Sequence, residues 1–207
     1  MTLPDFDTTQ LLAMAAALGW ASGLRLYAVV FITGLVGLMG WVPMPEGLKM
    51  LQHPAVLGAS GFMLAVEFFA DKIPGLDSLW DVVHTVLRVP AGAALAASVF
   101  GADQGTMAIV AALLGGTLAA TSHTAKATTR AAVNTSPEPF SNVAVSLVED
   151  TAAAGGLWLA FTHPLVFLPV LAVAVLGMLV LIWMLWKYLR RVAQKVRDLF
   201  AAPRAAV

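Results

Sequence analysis

Long apolar runs alternate with a few polar stretches along the chain, and this pattern predicts helices that cross a membrane. Six membrane segments can be drawn, at about 9–39, 54–70, 79–100, 106–134, 140–161 and 164–186. The first is interrupted by GWASGLRLY, in which glycines bracket Arg25. The last is uncharged throughout, and about 20 mostly apolar residues suffice to cross a bilayer. We therefore expect an all-α, polytopic transmembrane helix bundle of about six segments, with broken or re-entrant helices.

The two halves of this pattern resemble each other weakly, which favours an internal repeat. GFMLAVEFF in the first half corresponds to NVAVSLVED in the second, so that Glu67 matches Glu149. A His-x5-Pro spacing occurs in both halves and matches Pro90 with Pro169. Because each half holds three segments, the second half would enter the membrane upside down. Inverted 3+3 repeats are a common plan of transporters, whose sites lie near the bilayer midplane at broken helices.

The expected organisation is one transmembrane domain, 9–186, with repeat halves 9–101 and 106–186, followed by a basic tail, 187–207. The tail holds half of the twelve Lys and Arg residues: Lys187, Arg190, Arg191, Lys195, Arg197 and Arg204. Positive charge marks the cytoplasmic side, and an even number of segments places the N-terminus there as well. The tail is predicted to be an amphipathic helix on the inner leaflet, held by anionic lipid. A simple solvated tail is the alternative.

Composition agrees with a membrane protein and excludes several classes of function. The chain of 207 residues is 59% hydrophobic and 12% charged, with a mean hydropathy of +0.84, whereas soluble domains are about a quarter charged. Cysteine is absent, which excludes disulfides, thiolate metal sites and cysteine nucleophiles. The start, MTLPDFDTTQ, has acids where a secretory signal has positive charge. No hydrolase, zinc-protease or nucleotide-binding motif occurs, so we expect no enzyme, no cofactor and no nucleic-acid partner.

Charged residues are concentrated in the stretch EFFADKIPGLDSLWDVVHTVLR, 67–88, between apolar runs. Asp77, Asp81, His84 and Arg88 follow each other at spacings of four, three and four residues, so they lie on one stripe of a helix. Glu67 and Asp71 are also four residues apart. The candidate site residues here are Glu67, Asp71, Asp77, Asp81, His84 and Arg88. A solvated loop is the alternative for Asp71, Lys72 and Asp77. A solvated loop does not explain Glu67, His84 and Arg88, which lie inside apolar runs, because a charge at the bilayer centre costs about 2.5–3.5 kcal/mol.

A second polar group lies in TSHTAKATTRAAVNTSPEPFSN, near the end of the fourth segment. Its helical stripe and the turn that follows contribute His123, Lys126, Arg130, Asn134 and Ser136, and the fifth segment adds Glu149 and Asp150. Basic side chains, hydroxyls and the following helix N-terminus would suit an oxyanion or phosphate. The alternative is that the basic residues neutralise the nearby acids.

A metal site is not specified by the sequence. Histidine and carboxylate side chains could ligate a divalent cation through nitrogen and oxygen. No two histidines have the i, i+3 or i, i+4 spacing of a local metal motif. Whether a metal binds is therefore left open.

Two strings, ADKIPGLDSLWDVVHTVLRVPAGA and HTAKATTRAAVNTSPEPFSNVAVSLVED, resemble the signatures of one domain-of-unknown-function family. Its members are small bacterial integral membrane proteins with plant relatives, and the resemblance covers nearly all of the chain. It implies a compact multi-span domain of the bacterial inner membrane and brings no assigned activity with it.

EFFADKIP is more distantly similar to the Glu-x-Gly-Asp-Lys-Thr signature of small 3+3 inverted-repeat exporters, the lysine-exporter and calcium/manganese-exchanger type. Glu67, Asp71 and Lys72 match it, with one extra residue between the acids and no threonine after the lysine. The second half offers only VEDT. The similarity implies that cation export is one option.

The sequence thus predicts a small transporter or channel-like carrier for an ionic solute, with its site between the two halves. Carboxylates would bind cations or couple protons, histidines would relay protons, and basic residues would hold an anionic group or pair with the acids. One alternative is a translocase for a phosphorylated lipid head group, and another is a non-transporting scaffold or assembly factor. The expected partners are the lipid bilayer and the solute or lipid, with a homo-oligomer left open.

Overall fold

The computed structural model describes residues 6–73, 75–101, 104–135 and 139–201, without the side chains of 139, 196 and 198–201. This part of the chain forms six α-helices and one 3-10 helix: α1 Thr8–Leu38, the 3-10 helix Glu46–Gln52, α2 Pro54–Ala70, α3 Leu76–Ser98, α4 Gly105–Val133, α5 Pro139–Thr162 and α6 Pro164–Ala201. The described residues contain no strand. The predicted all-α class is confirmed.

Four helices are long and apolar enough to cross a membrane: Thr8–Leu38, Gly105–Val133, Phe140–Thr162 and Pro164–Lys195. The 3-10 helix and α2 make a fifth candidate if they count as one span bent by 69°. Helix α3 is long enough, but Asp81 and Arg88 interrupt its apolar character. The helices are those of a multi-pass membrane protein, while six membrane segments and the inverted repeat stay predictions.

Helix α1 is the centre of the bundle, because it packs against all five other α-helices. Of its most apolar window, 61% is buried inside the protein. Its helical geometry is interrupted at Arg25, where φ is −144° and ψ is 76°. The interruption lies in the predicted GWASGLRLY stretch and at the arginine itself.

Small residues bring α1, α3 and α4 into close contact. A Cβ atom at Gly19 would lie 2.7 Å from the carbonyl oxygen of Gly115, and one at Gly92 would lie 2.7 Å from the Cβ of Ala119. In a membrane, where hydrophobic burial adds little to helix association, such close approach supplies the packing contacts. Helices α3 and α4, which carry two of the polar stripes, are thus fixed against each other and against α1.

Helices α2 and α3 form a hairpin whose turn begins at Asp71 and ends at Gly75. Gly75 has a φ of +86°, a conformation that glycine adopts without strain. One carboxylate oxygen of Asp77 accepts hydrogen bonds from the backbone nitrogens of Gly75 and Ser78, at 2.8 and 2.7 Å. The turn therefore places both acids at the start of the polar region.

Helix α6 lies on the outside of the bundle and continues into the basic tail. Only 11% of its most apolar window is buried, as expected of a helix in contact with lipid. Its 38 residues correspond to about 57 Å, well beyond the ~30 Å of a bilayer core. The basic residues up to Ala201 continue the helix of the last span without a break, and the amphipathic tail on the inner leaflet stays a prediction. Arg204 lies outside the described residues.

Candidate functional site

Ten charged side chains from five helices and the α2–α3 turn form one connected set, which we call the charge network. Each is linked to another member by a nitrogen–oxygen distance of at most 3.9 Å. The members are Arg25, Glu67, Asp71, Asp77, Asp81, Arg88, Lys126, Arg130, Glu149 and Asp150. Nine of them are buried, and Asp150 is the exception, with 27% of its side chain exposed.

Arg25 enters the network because α1 is interrupted at this residue. Its Nη1 pairs with Oδ2 of Asp71, and its Nη2 donates to the hydroxyl and the carbonyl oxygen of Ser146, at 2.8 and 3.1 Å. Its Nε lies 2.8 Å from Oδ1 of Asp150, and Glu149 is 3.5 Å from Nη2. One guanidinium thus binds the α2–α3 turn and α5 together.

Arg88 on α3 binds two acids and one histidine. Its Nη2 donates to Glu67 and its Nη1 to Asp81, both at 2.7 Å, while Nη1 also lies 3.2 Å from Nδ1 of His123. The hydroxyl of Thr85 donates to the carbonyl oxygen of Asp81 and lies 2.8 Å from Nε2 of His123. His123 therefore accepts at Nδ1 and carries its hydrogen on Nε2, so it is neutral in this arrangement.

Lys126 on α4 is the branching point of the charge network. Its ammonium lies 2.7 Å from Asp71, 3.4 Å from Asp81 and 3.6 Å from Glu149. It also donates to the carbonyl oxygen of Leu24, at 3.3 Å, beside the interruption in α1. A compact ammonium group suits this position because it is shared among acids that approach from different helices.

Arg130, one turn further along α4, connects the same acids to α5. It donates to Glu149 at 2.8 Å, to the backbone oxygen of Asp71 at 2.8 Å and to the backbone oxygen of Asn142 at 3.1 Å. Its Nη1 is 3.9 Å from Asp77. The fork of the guanidinium thus bridges the α2–α3 turn and the first half of α5.

Asn134 and His84 extend the polar region without belonging to the charge network. The amide of Asn134 donates to both carboxylate oxygens of Asp77, at 3.0 Å each. His84 lies 3.1 Å from the hydroxyl of Tyr27 and 2.8 Å from the carbonyl oxygen of Trp80, on whose ring it stacks. His84 is therefore buried beside the network, with no ion pair of its own among the described residues.

Acids outnumber bases in the charge network, by six carboxylates to four cations. All terminal guanidinium nitrogens of its arginines donate to protein acceptors. By contrast, one carboxylate oxygen has no hydrogen-bond partner among the described residues in each of five acids: Glu67, Asp71, Asp81, Glu149 and Asp150. The Nε atoms of Arg88 and Arg130 also have no hydrogen-bond partner among the described residues. Unpartnered acceptors still outnumber unpartnered donors, which favours a cation or a proton over an anion as the ligand.

Two grooves reach the charge network from opposite sides of α5. One, of about 510 Å³, lies between α1, α2 and α5 and has Asp150 in its lining. The other, of about 320 Å³, lies between α1, α4, α5 and α6 and has Lys126 and Glu149 in its lining. Adjacent residues of α5 therefore present their carboxylates to different grooves, with Arg25 bound to both.

The structure brings the predicted site residues together. Those within the described part of the chain all belong to the charge network or border it, whereas Ser136 lies outside the described residues. The alternative of a solvated loop is wrong for Asp71 and Asp77, which are both 0% exposed. Lys72 is partly buried, and burial lowers the pKa of its ammonium group.

Arg25 and Ser146 were missing from the predicted site. Arg25 is the one charged residue within α1, so no charged neighbour at helical spacing indicates its side. Ser146 does have a signal, because Asn142, Ser146 and Glu149 follow the same spacing of four and three as the other stripes. Whether a metal binds stays open, and the described residues include no group of three or more metal-ligating side chains placed around one point.

Comparison with known proteins gives one match. A family model described as "Domain of unknown function (DUF4126)" matches residues 12–187, which confirms the resemblance predicted from the two signature strings. No curated protein and no solved structure matches the chain.

Proposed function

Since the chain belongs to the DUF4126 family, whose function is unknown, we propose a function from the geometry of the charge network. The protein is a small integral membrane carrier for an ionic solute, and the network is its binding and coupling site. One observation carries the proposal: six carboxylates face four cations in the interior of a membrane helix bundle, with unpartnered carboxylate oxygens on five acids.

The excess of acids supports a cation or proton as the species bound. A buried ion pair can serve packing alone, but an uncompensated carboxylate in a medium of low polarity is strongly disfavoured. The ammonium of Lys72, which is partly buried and interacts electrostatically with Asp150 and Asp71, offsets part of this excess. We infer that the rest is neutralised by protons or by a bound cation. Exchange of one for the other is the chemical step on which coupled transport depends.

The roles of the residues follow from their contacts. Glu67 and Asp81 form one candidate cation-binding pair, held in place by Arg88. Glu149 and Asp150, both held by Arg25, are two further candidate acids, one in the lining of each groove. His123 hydrogen-bonds to Arg88 and is placed to relay a proton.

The proposal includes a bacterial inner-membrane location, with both termini in the cytoplasm. The basic residues at the end of α6 support this orientation through the positive-inside rule. An even number of crossings then places the N-terminus on the same side.

A translocase for a phosphorylated lipid head group is the second candidate. The two lateral grooves that reach the network favour it, because a lipid needs an opening toward the bilayer. The basic nitrogens that would bind a phosphate are, however, already occupied by acids. The carrier is therefore the better supported of the two.

Reconstitution into liposomes tests the proposal. With a pH-sensitive dye inside, an imposed cation gradient should drive proton movement through the unmodified protein faster than through protein-free vesicles. Asp81→Asn should abolish this flux, and Glu46→Gln, a substitution at an exposed acid of the 3-10 helix, should leave it unchanged.

Two outcomes would contradict the carrier. Folded protein without flux for any of a panel of inorganic and organic cations would favour a scaffold. Rapid transfer of fluorescent anionic lipid between leaflets, in the absence of ion flux, would favour the lipid translocase.

A further inference from the structure

The groove between α1, α2 and α5 has the composition of a site for an apolar molecule, with one exception. Its volume of about 510 Å³ is within the usual ~300–1,000 Å³ of small-molecule sites. Its walls are aliphatic and aromatic, with contributions from Ala28, Ile32, Phe68, Phe69 and Leu147. Asp150 is the one charged or polar residue among those that line it.

Asp150 has one carboxylate oxygen in an ion pair and one without a hydrogen-bond partner among the described residues. Oδ1 lies 2.8 Å from Nε of Arg25, while Oδ2 has no hydrogen-bond partner among the described residues. Its side chain is 27% exposed, against 8% or less for the other acids in the ion pairs of the charge network. Oδ2 is itself buried, so it is the exposed remainder of the Asp150 side chain that meets the groove, and a cation in the groove approaches the negative charge of the carboxylate from there.

An apolar groove with a partly exposed aspartate in its lining is complementary to a molecule with an apolar body and a positive charge. We infer that this groove binds an amphiphilic organic cation, with its body against Phe68 and Phe69 and its charged group at Asp150. The inference rests on the proposed function and narrows it, since the solute then enters the charge network from the lipid side.

The aromatic wall already interacts with a cation of the protein itself. The ammonium of Lys72 lies 3.0 Å from the centre of the Phe68 ring, and it hydrogen-bonds to the carbonyl oxygen of Phe68 and to Ser146. A ring face attracts a positive charge through its quadrupole. Lys72 therefore competes with a ligand for this end of the groove.

A free cation fits this site better than a zwitterionic lipid. The phosphate of such a lipid would come close to Asp150 whenever its amine did, and two negative groups repel each other at short range. A cation without a phosphate meets no such repulsion.

Two probes of the same shape and opposite charge test the inference. Tetraphenylphosphonium and tetraphenylborate are each titrated into the purified full-length protein in detergent, and binding is measured by equilibrium dialysis. We expect saturable binding of the phosphonium and none of the borate. Asp150→Asn should weaken phosphonium binding about tenfold or more, Glu46→Gln should not change it, and Lys72→Ala should strengthen it.

A second measurement uses the unmodified protein and so does not depend on how a variant folds. Dicyclohexylcarbodiimide reacts with protonated carboxyl groups that are accessible from an apolar phase, and mass spectrometry locates the modified residue. We expect Asp150 to be labelled before Glu67, Asp71 or Asp81, and the phosphonium to protect it. The inference would be overturned if the phosphonium did not reduce the labelling, or if Asp150 were not labelled.

Equal binding of the two probes, or unchanged phosphonium binding by Asp150→Asn, would also overturn it, because the groove would then bind by apolar contact alone. Either result leaves the proposed carrier function standing if inorganic cations still cross the membranes of reconstituted vesicles. Loss of all ion flux with phosphonium binding retained would instead contradict the carrier and keep the site. The two proposals can therefore fail separately.

Discussion

The ammonium of Lys126 lies 3.4 Å from Oδ1 of Asp81, and this ion pair joins the two parts of the charge network. On one side, Arg88 binds Asp81 and Glu67. On the other, Lys126 shares Asp71 and Glu149 with Arg25 and Arg130. Among the described residues, no other ion pair connects the two parts, so Lys126 is the residue through which they influence each other.

Lys126→Ala should lower the free energy of unfolding by about 3–5 kcal/mol, because it leaves buried acids without one of their cations. Lys49→Ala is the matched control, since Lys49 pairs with Glu46 at an exposed position, and it should cost no more than about 1 kcal/mol. Thermal unfolding in detergent measures both. Equal effects of the two substitutions would show that the Lys126 ion pairs contribute nothing to stability.

Arg130→Ala should also destabilise the protein by about 3–5 kcal/mol, since it removes the partner of the buried Glu149. Arg130→Lys keeps the charge but cannot reach Glu149, the Asp71 carbonyl and Asn142 together, so we expect an intermediate loss. The same unfolding assay orders the three proteins. An Arg130→Ala protein as stable as the parent would contradict the buried pair.

Gly115→Ala should destabilise the helix crossing at the centre of the bundle. The added Cβ would lie 2.9 Å from the carbonyl oxygen of Gly92 and closer still to the Cβ of Ala96, and such overpacking costs about 1–3 kcal/mol. Gly155→Ala on α5 is the control, because a Cβ there meets nothing within 4 Å. It should be neutral or slightly stabilising, and a loss as large as that of Gly115→Ala would argue against the close approach.

Acid should remove the contribution of Asp71 to stability. Burial alone would raise the pKa of Asp71, but Lys126 and Arg25 outweigh it and lower the pKa below its ordinary 3.8. A carboxyl group with a lowered pKa stabilises the fold fully above that ordinary value and loses its contribution as the pH falls through the lowered one. The stability difference between the parent and Asp71→Asn should therefore be constant near neutral pH and shrink below pH 3.8. Unfolding curves that stay equally far apart in acid would contradict this.

The absence of cysteine allows the predicted orientation to be tested directly. Thr8→Cys and Arg191→Cys each introduce one thiol at an exposed position near an end of the described chain. Both should resist a membrane-impermeant maleimide in intact cells and react after permeabilisation. Labelling of the N-terminal thiol in intact cells would contradict the inverted 3+3 arrangement.

The polar stripes could be predicted because helical spacing and burial are linked. Asp81 and Arg88 on α3, and Lys126 and Arg130 on α4, share a face in the sequence and point inward in the structure. Their apolar neighbours fix this direction, since the opposite face contacts lipid. The positions of the helices could be predicted for the same reason.

The parts that could not be predicted depend on contacts between distant segments. Arg25 has no partner within its own helix, and its role appears only when Asp71 and α5 are folded beside it. Asp71 and Lys72 belong to a turn that resembles any solvated turn in composition. The number of spans depends on whether α3 crosses the membrane. Its charged residues can be neutralised by partners inside the bundle, and a local hydropathy pattern does not show such partners.

The interruption of α1 at Arg25 makes one residue both a joint in the main chain and an electrostatic contact. The two helical parts of α1 meet at this residue, and its guanidinium is bound to the α2–α3 turn and to α5. A change in the charge of Asp71 or Asp150 therefore acts at the point where the direction of the central helix is set. The bend of the most buried helix and the protonation of these carboxylates are thus tied to one side chain, and neutralising either acid changes the forces on that bend.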